Sequence, residues 1–225
     1  MTNKTKYKLI SFTICPFVQR SVITLNTKGQ DYDVEYIDIE NTPAWYLEKV
    51  PTGKVPALFV DDEVIFESAI INEFIDETSA PRLMPEDPFQ RARERSWIAF
   101  SEQLIFDQYN MLVADNSESY NEKKEHFFQQ LLKLENEVGE QYFNGRNFSL
   151  VDASIAPVFV RLVMLPTLYN EFKNRVNKKS SLIHYIDTLS SMDVVVNSVA
   201  SEFNQTFFNY FTEHNSYYLS VHADK

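Results

Sequence analysis

The chain has 225 residues, a formal net charge of −11, 44% hydrophobic residues and one cysteine. The negative charge argues against binding to nucleic acid or to an anionic membrane surface. A single cysteine excludes an internal disulfide framework and makes a reducing cytosol the simplest compartment. The polar segment 1–8 predicts no signal peptide, and the longest apolar stretch, 156–168, is too short and too interrupted to span a bilayer.

The first predicted elements are a strand, a turn and a helix. An apolar run at 7–12 predicts the strand, and apolar residues at helical spacing predict a helix over 16–28 that ends at Gly29. Pro16 suits the first helical position, where a missing N–H costs nothing. Cys15 is therefore predicted at the N-cap, where free N–H groups and the helix dipole would lower the pKa of its thiol. A buried, inert cysteine is the alternative interpretation.

Strands and helices continue to alternate after this helix. Alternating polar and apolar residues predict a second strand over 31–39, and the helix between the two strands favours parallel pairing. Thr42 and Pro43 are predicted to cap and open a short helix. Beyond a loop at 51–56, two short strands flank a polar turn at 61–62 and form a hairpin.

A helix over 68–77 completes the order β-α-β-α-β-β-α within about 80 residues, which is the thioredoxin-like order. We predict a thioredoxin-like α/β domain over 1–80, a proline-rich linker over 81–89 and an all-helical domain over 90–225. The helices predicted beyond the linker run over 88–115, 121–142, 152–170, 180–192 and 194–208.

Four short motifs occur in order along the chain. They are Cys15-Pro16-Phe17, Val55-Pro56, Glu67-Ser68 and Ser149-Leu150-Val151-Asp152. Taken together, they resemble the cytosolic glutathione transferases, and among these the cysteine-type, omega-like group. The resemblance is close over the first 90 residues and good over 140–165. The last motif is a capping box, which we interpret as structural, and Gly145 before it is predicted to supply a sharp turn.

The resemblance implies a glutathione site in the first domain, to which Phe17 also belongs. Ser68 and the N–H groups at its helix N-terminus would bind the γ-glutamyl carboxylate, and Glu67 would receive the ammonium group. The backbone of Val55, turned by a cis bond at Pro56, would pair with the tripeptide as an added strand.

Lys54 is the candidate for binding the glycine carboxylate of glutathione. Residues 1–80 hold seven Lys and Arg against thirteen Asp and Glu, so a doubly acidic peptide needs a local cation there. Omega-like relatives often carry a lysine at the position of Thr42. Lys54 either substitutes for that lysine or is a solvated loop residue.

The resemblance implies a pocket for a second substrate between the two domains. Its predicted wall residues are Phe12, Phe17, Gln103 and Tyr109. The arginines at 91, 93 and 95, together with Glu94, are instead interpreted as a solvated or interdomain charged face and not as an anion site.

The resemblance further implies a glutathione-dependent enzyme with Cys15 as the nucleophile. Its thiolate would attack a mixed disulfide and form a glutathione adduct, which a second glutathione would release. This is thiol transferase or dehydroascorbate reductase chemistry, beside which some conjugation activity can persist. Val18 stands where a C-x-x-C pair would have its second cysteine, which excludes a dithiol mechanism.

The expected partners are glutathione, as co-substrate, and a small electrophilic or disulfide substrate. We expect a cytoplasmic homodimer that binds no nucleic acid and no membrane. The four histidines show no ligand spacing, so we predict no metal site.

A different function on the same fold remains open. Proteins resembling stringent starvation protein A keep this fold, bind RNA polymerase and do no catalysis. The segment from Phe74 to Pro85 would suit that group too. Its members generally lack the cysteine, so Cys15 favours the enzyme.

Overall fold

A computed structural model describes residues 6–222, which form a four-stranded sheet with helices followed by a bundle of helices. The strands are β1 (Tyr7–Ser11), β2 (Tyr32–Tyr36), β3 (Ala57–Val60) and β4 (Glu63–Phe66). The helices are α1 (Pro16–Thr27), α2 (Ala44–Lys49), α3 (Ser68–Thr78), α4 (Pro88–Leu112), α5 (Ser117–Leu132), α6 (Leu150–Val163), α7 (Pro166–Lys173), α8 (Leu182–Ser191), α9 (Asp193–Val196), α10 (Phe203–Glu213) and α11 (Tyr217–Val221).

The sheet has the order β2-β1-β3-β4. Strand β1 pairs in parallel with β2, with Tyr7 opposite Tyr32, and antiparallel with β3. Helix α1 packs against α3 of the same domain and against α6 of the helical bundle. This arrangement confirms the thioredoxin-like fold of the first domain and the helical second domain. Helix α1 lies where the two domains meet.

The first domain differs from the sequence prediction at α2. The prediction that Thr42 caps this helix is wrong, because Pro43 is the N-cap and the helix starts at Ala44. The Thr42 hydroxyl donates a hydrogen bond to the Ile39 carbonyl at 3.1 Å. Thr42 therefore closes the turn that precedes the helix.

One predicted helix in the second domain extends too far. The helix predicted over 121–142 stops at Leu132 and continues only as a 3₁₀ turn to Asn136. The reason lies at Gly139, where a Cβ atom would stand 2.4 Å from the backbone nitrogen of Gly145. The chain folds back on itself there, with the Gly139 N–H donating to the Tyr142 carbonyl at 3.1 Å, so the helix ends before this turn.

Two other predicted helices are interrupted. The helix predicted over 152–170 breaks before Pro166, and α6 and α7 meet at 109°. The continuous helix predicted over 194–208 is wrong, because it divides into α9 and α10. Residues 6–222 include no single helix long and apolar enough to cross a membrane, and only the bent pair α6 and α7 meets that test by length and composition.

The capping box at the start of α6 is confirmed and fully buried. Asp152 Oδ1 accepts hydrogen bonds from the Phe143 N–H at 2.8 Å and the Tyr185 hydroxyl at 2.7 Å. Its Oδ2 accepts from both the N–H and the hydroxyl of Ser149 at 2.7 Å. Gly145, with φ of +86°, makes the predicted turn in the preceding loop. One carboxylate thus joins α6, α8 and that loop.

Glu94 on α4 is a second buried acid and does not lie on the charged face that the sequence predicted for it. Its Oε1 accepts a hydrogen bond from the Asn144 side chain at 2.6 Å, but Oε2 is buried and has no partner among the described residues. Burial raises the pKa of Glu94 to about 7. The nearby carboxylates of Asp152 and Asp76 act in the same direction, although Asn144 opposes the shift.

Glu94 should therefore make stability fall as the pH rises. The pKa of an unfolded glutamate is about 4.3, so between roughly pH 4.3 and 7 the folded chain holds a proton that the unfolded chain has lost. We expect the free energy of unfolding of the native protein to drop by about 1 kcal/mol per pH unit relative to Glu94→Gln in this window. Urea titrations at pH 5, 6 and 7 measure this decrease in the free energy of unfolding. The exposed Glu122→Gln is the control, and parallel curves for native protein and Glu94→Gln would contradict the expectation.

Candidate functional site

Cys15 occupies the predicted position at the start of α1. It is the N-cap residue, and Pro16 is the first residue of the helix. The Cys15 N–H donates to the Phe12 carbonyl at 3.0 Å and thereby closes the turn after β1. The partly buried thiol donates to the carbonyl oxygen of Val55, with Sγ 4.0 Å from that oxygen. The sulfur therefore lies against the loop that leads into β3.

The pKa of this thiol differs from the sequence prediction. Burial raises the pKa of Cys15, while the N–H groups of Val18 and Phe17 and the positive charges of Arg161 and Arg20 act to lower it without compensating. The predicted lowering of the pKa is therefore wrong. The helix N-terminus lowers the pKa of the thiol, as expected. Removal of the sulfur from water raises this pKa by more.

The reactivity of Cys15 should therefore rise steeply with pH. Only the thiolate is alkylated rapidly, and below a raised pKa its population grows about tenfold per pH unit. We expect the rate of alkylation by iodoacetamide to increase without levelling between pH 7 and 9. Intact mass spectrometry of quenched reactions measures this rate. A rate that reaches its plateau below pH 7 would contradict the expectation and would support a lowered pKa for Cys15.

A polar cavity of about 240 Å³ lies beside α1, the loop before β3 and the start of α3. It brings together all six residues that the sequence assigned to glutathione binding. They are Phe17, Lys54, Val55, Pro56, Glu67 and Ser68. Four further residues complete its lining, and these are Arg20, Thr52, Glu102 and Phe106.

The backbone on one side of this cavity has the shape that the family resemblance implied. The Val55–Pro56 peptide bond is cis. The Tyr46 hydroxyl donates to the Lys54 carbonyl at 2.5 Å and fixes the loop from behind. The Lys54 side chain is exposed at the rim. Glu67, also exposed, has a φ of +68°, a conformation that a residue with a Cβ atom rarely adopts.

The other side of the polar cavity contains a buried cation. Ser68 is the first residue of α3 rather than its N-cap, which is Glu67. The Ser68 hydroxyl accepts a hydrogen bond from Arg20 Nε at 2.7 Å. Arg20 Nη2 binds Glu102 Oε1 at 2.6 Å, and its buried Nη1 has no partner among the described residues. Arg20, only 1% exposed, therefore supports Ser68 and retains an unused N–H donor.

Sequence reasoning missed Arg20, although a signal was present. Arg20 is the single charged residue among the twelve residues of α1. A helix that packs on a sheet, on α3 and on α6 has little exposed surface left for a charge. A buried arginine needs such hydrogen-bonding partners to offset its desolvation.

Cys15 itself lines a separate, apolar cavity of about 210 Å³. Phe12 and Tyr109 line it, as predicted, but Phe17 lines the polar cavity instead. Gln103 does not line the apolar cavity, because its side chain turns to Asp107 Oδ1 at 2.8 Å. Sequence reasoning missed the aromatic wall from α10, which consists of Phe207, Tyr210 and Phe211.

Arg161 on α6 is a second buried cation at this site. Its Nη1 donates to the Gln19 side chain at 2.6 Å and to the Pro157 carbonyl at 2.8 Å, and its Nη2 donates to the Ile14 carbonyl at 2.8 Å. Burial lowers the pKa of Arg161 to about 10, so it stays charged at neutral pH. Arg161 ties the second domain to the turn that carries Cys15, and its charge favours a thiolate there.

The charged face of α4 is occupied by ion pairs. Arg95 makes a two-pronged pair with Glu73 on α3, at 2.8 and 2.6 Å, and Arg93 binds Glu137 at 2.7 Å. The Arg95 pair links the two domains, as one of the two interpretations expected. Between Lys6 and His222, no group of three or more histidine, cysteine or acidic side chains is arranged to hold a metal ion.

Comparison with known proteins identifies the family. The family model for the glutathione S-transferase N-terminal domain matches residues 14–78. Glutathione S-transferase omega-1 of Sus scrofa is 32% identical over 163 residues, which is 70% of this chain and 68% of the relative.

Solved structures give the same result. Glutathione transferase Omega 3C from Trametes versicolor superposes with a TM-score of 0.77 at 28% identity and covers 87% of this chain and 89% of its own. Rice GST1, solved in complex with glutathione, shares the fold with a TM-score of 0.76 at 20% identity over 95% of this chain and 98% of its own. The chain therefore belongs to the cytosolic glutathione transferase superfamily.

Proposed function

We propose that this protein is a glutathione-dependent thiol transferase, of the omega type, in which Cys15 is the nucleophile. One observation carries the proposal, namely that Cys15 lines the apolar cavity while its sulfur lies against Val55, a residue that also lines the polar cavity. Val55 lines both cavities, and its carbonyl oxygen is 4.0 Å from Sγ. A ligand in the polar cavity and a ligand in the apolar cavity would each reach the same sulfur.

Glutathione is the proposed ligand of the polar cavity. Its γ-glutamyl carboxylate would bind at the N-terminus of α3, where Ser68 is backed by the Arg20 guanidinium. Glu67 would receive the ammonium group, and Lys54 the glycine carboxylate. The ligand backbone would pair with Val55. The glutathione complex of the rice relative supports this assignment.

The proposed reaction has two steps. The Cys15 thiolate attacks the glutathionyl sulfur of a mixed disulfide, so that a Cys15–glutathione disulfide forms and the other thiol leaves and takes up a proton. A second glutathione then attacks the adduct as its thiolate, which yields glutathione disulfide and returns Cys15. In this exchange one reduced glutathione is oxidised and the thiol released from the substrate is reduced, and the other half of the glutathione disulfide comes from the substrate. Dehydroascorbate is an alternative acceptor, whose two-electron reduction would consume two reduced glutathione molecules and give dehydroascorbate reductase activity.

The protein environment would make the first step possible despite the raised pKa. The N–H groups of Phe17 and Val18 and the charges of Arg161 and Arg20 all favour the thiolate over the thiol. These groups are fixed in place before the reaction, so they stabilise developing charge without reorganising. Serine at this position would leave activation of glutathione's own thiol as the only route, and hence conjugation.

An activity comparison tests the proposal. We expect the protein to be retained on a glutathione resin and to reduce glutathione-bound hydroxyethyl disulfide faster than it conjugates chlorodinitrobenzene. Conjugation without reduction would contradict the role of Cys15. Retention on immobilised RNA polymerase, with none on the glutathione resin, would instead support the non-catalytic alternative.

We also propose that two copies of the chain associate in the cytoplasm. A groove between α3 and α4 is lined by Ile70, Ile98 and Ala99, with Ile70 55% exposed. Phe66 and Phe89 are exposed apolar side chains from β4 and the start of α4. An exposed apolar groove of this kind is typical of a protein interface. Sedimentation of the native protein and of Ile70→Asp tests it, since only the native protein should form a dimer.

A further inference from the structure

A third cavity, of about 100 Å³, lies between the sheet, α1 and the turn that precedes α10. Cys15 and Arg161 line this cavity as well as the apolar one. Phe203, the first residue of α10, forms another part of its wall, and the guanidinium carbon of Arg161 lies 5.1 Å from the centre of the Phe203 ring. The reaction proposed above does not use this cavity.

Arg161 is a buried cation that lacks a counter-ion. It is 5% exposed, and its three hydrogen bonds go to neutral acceptors, which are the Gln19 side chain and two backbone carbonyls. Burial lowers the pKa of Arg161, and among residues 6–222 only the Cys15 thiolate acts against this change. Burial also keeps the pKa of Cys15 above its ordinary value, so the thiol is protonated at neutral pH. A buried charge in this state needs compensation from elsewhere.

The lining of the third cavity offers hydrogen-bond donors. Ser11 pairs with Tyr36 in the sheet, and alternation along β1 puts its side chain on the face that α1 covers. Ser11 is 3% exposed, and its hydroxyl has no partner among the described residues. The side chain of Asn197, which is exposed, also has none there. A guanidinium has five N–H donors, of which the described residues use three in Arg161.

The charges around the third cavity favour a negative ligand over water. Within residues 6–222, no aspartate or glutamate lines it. Glu202 is exposed and outside the lining, although its charge, after burial, helps to raise the pKa of Tyr36. Water molecules would satisfy the free donors but would leave the charge of Arg161 uncompensated. The cavity is large enough for a small ion with a few water molecules.

We propose that this cavity binds a small inorganic anion, such as chloride, as the counter-ion of Arg161 while Cys15 carries its proton. Loss of that proton creates a second negative charge beside the same guanidinium, so the anion and the thiolate would disfavour each other. The effect is reciprocal, since the anion lowers the thiolate population by the factor by which the thiolate weakens anion binding. The anion would therefore inhibit any reaction that begins at the Cys15 sulfur.

Alkylation of Cys15 by iodoacetamide, a neutral reagent, tests this antagonism. At pH 8 and constant ionic strength, replacing sodium gluconate with about 200 mM sodium chloride should slow alkylation at least about threefold, because gluconate is too large for the cavity. The double variant Ser11→Ala/Asn197→Ala loses two donors and should lose most of the chloride effect. Ser154→Ala, which changes a buried serine of α6 outside the cavity, should keep it.

A second measurement locates the anion without any variant. Crystals of the native protein soaked in sodium bromide at pH 6 should show an anomalous bromide peak between Arg161 and Ser11. Absence of that peak, equal alkylation rates in chloride and gluconate, or a chloride effect that persists in full in the double variant would each overturn the inference. Neither measurement uses glutathione, so failure of the proposed thiol transfer would leave both results intact.

Discussion

Replacing Cys15 with serine is expected to reduce the turnover of a glutathione mixed disulfide by at least about 10³-fold, because the nucleophile that forms the covalent adduct is lost. A serine hydroxyl is not ionised at neutral pH and cannot form a disulfide. The fold should not change, since serine is close to cysteine in shape and the hydrogen bond that the thiol donates, to the Val55 carbonyl at 4.0 Å, is weak. Steady-state assays with glutathione-bound hydroxyethyl disulfide, together with thermal unfolding, measure both effects.

A matched variant in the same turn completes this experiment. Thr13→Ser changes a side chain two residues before Cys15 and should keep turnover within about twofold. Native turnover in Cys15→Ser would rule out the covalent mechanism. A gain of conjugation activity in Cys15→Ser would be consistent with it, because glutathione would still bind and its own thiol would become the nucleophile.

The largest expected loss of stability follows from Asp152→Ala. This change would leave four buried donors unpaired, from Phe143, Tyr185 and Ser149. Each unsatisfied buried donor costs about 1–3 kcal/mol, so we expect the free energy of unfolding to fall by at least about 4 kcal/mol. Urea unfolding at pH 7 measures it.

A graded series distinguishes the carboxylate from the helix cap alone. Ser149→Ala removes the capping hydroxyl and should cost about 1 kcal/mol. Tyr185→Phe removes one donor and leaves the other three bonds in place, so its cost should also be small. A loss for Asp152→Ala no greater than that for Ser149→Ala would show that Asp152 is only a cap, and would contradict its role in joining α6, α8 and the preceding loop.

Local sequence rules located Cys15 well but misjudged its pKa. The N-cap position and the proline that follows it are encoded within a few residues, so the geometry could be predicted. The pKa depends on how far the sulfur is removed from water by α6 and by the loop at Val55, which are distant in sequence. No local pattern contains that information.

Sequence reasoning likewise found one part of the candidate site and missed another. Pro56, Glu67 and Ser68 belong to short motifs, and the structure gathers them at one cavity. Arg20 and Arg161 stand in helices whose apolar patterns say only that one face is buried. Their roles arise from partners 48 and 142 residues away, which sequence reasoning could not pair.

Helix boundaries in the second domain failed for a related reason. Apolar residues continue from α9 towards α10, so periodicity predicted one helix where the chain turns at 197–202. No role in the apolar cavity was therefore predicted for the aromatic side chains of α10, although they form one of its walls.

Intact mass spectrometry after treatment with glutathione disulfide is the decisive test of Cys15 as the nucleophile. We expect one glutathione per native chain, attached at Cys15, removed by excess reduced glutathione and absent from Cys15→Ser. Retention of the native protein on a glutathione resin, with no adduct formed at any pH between 7 and 9, would contradict it.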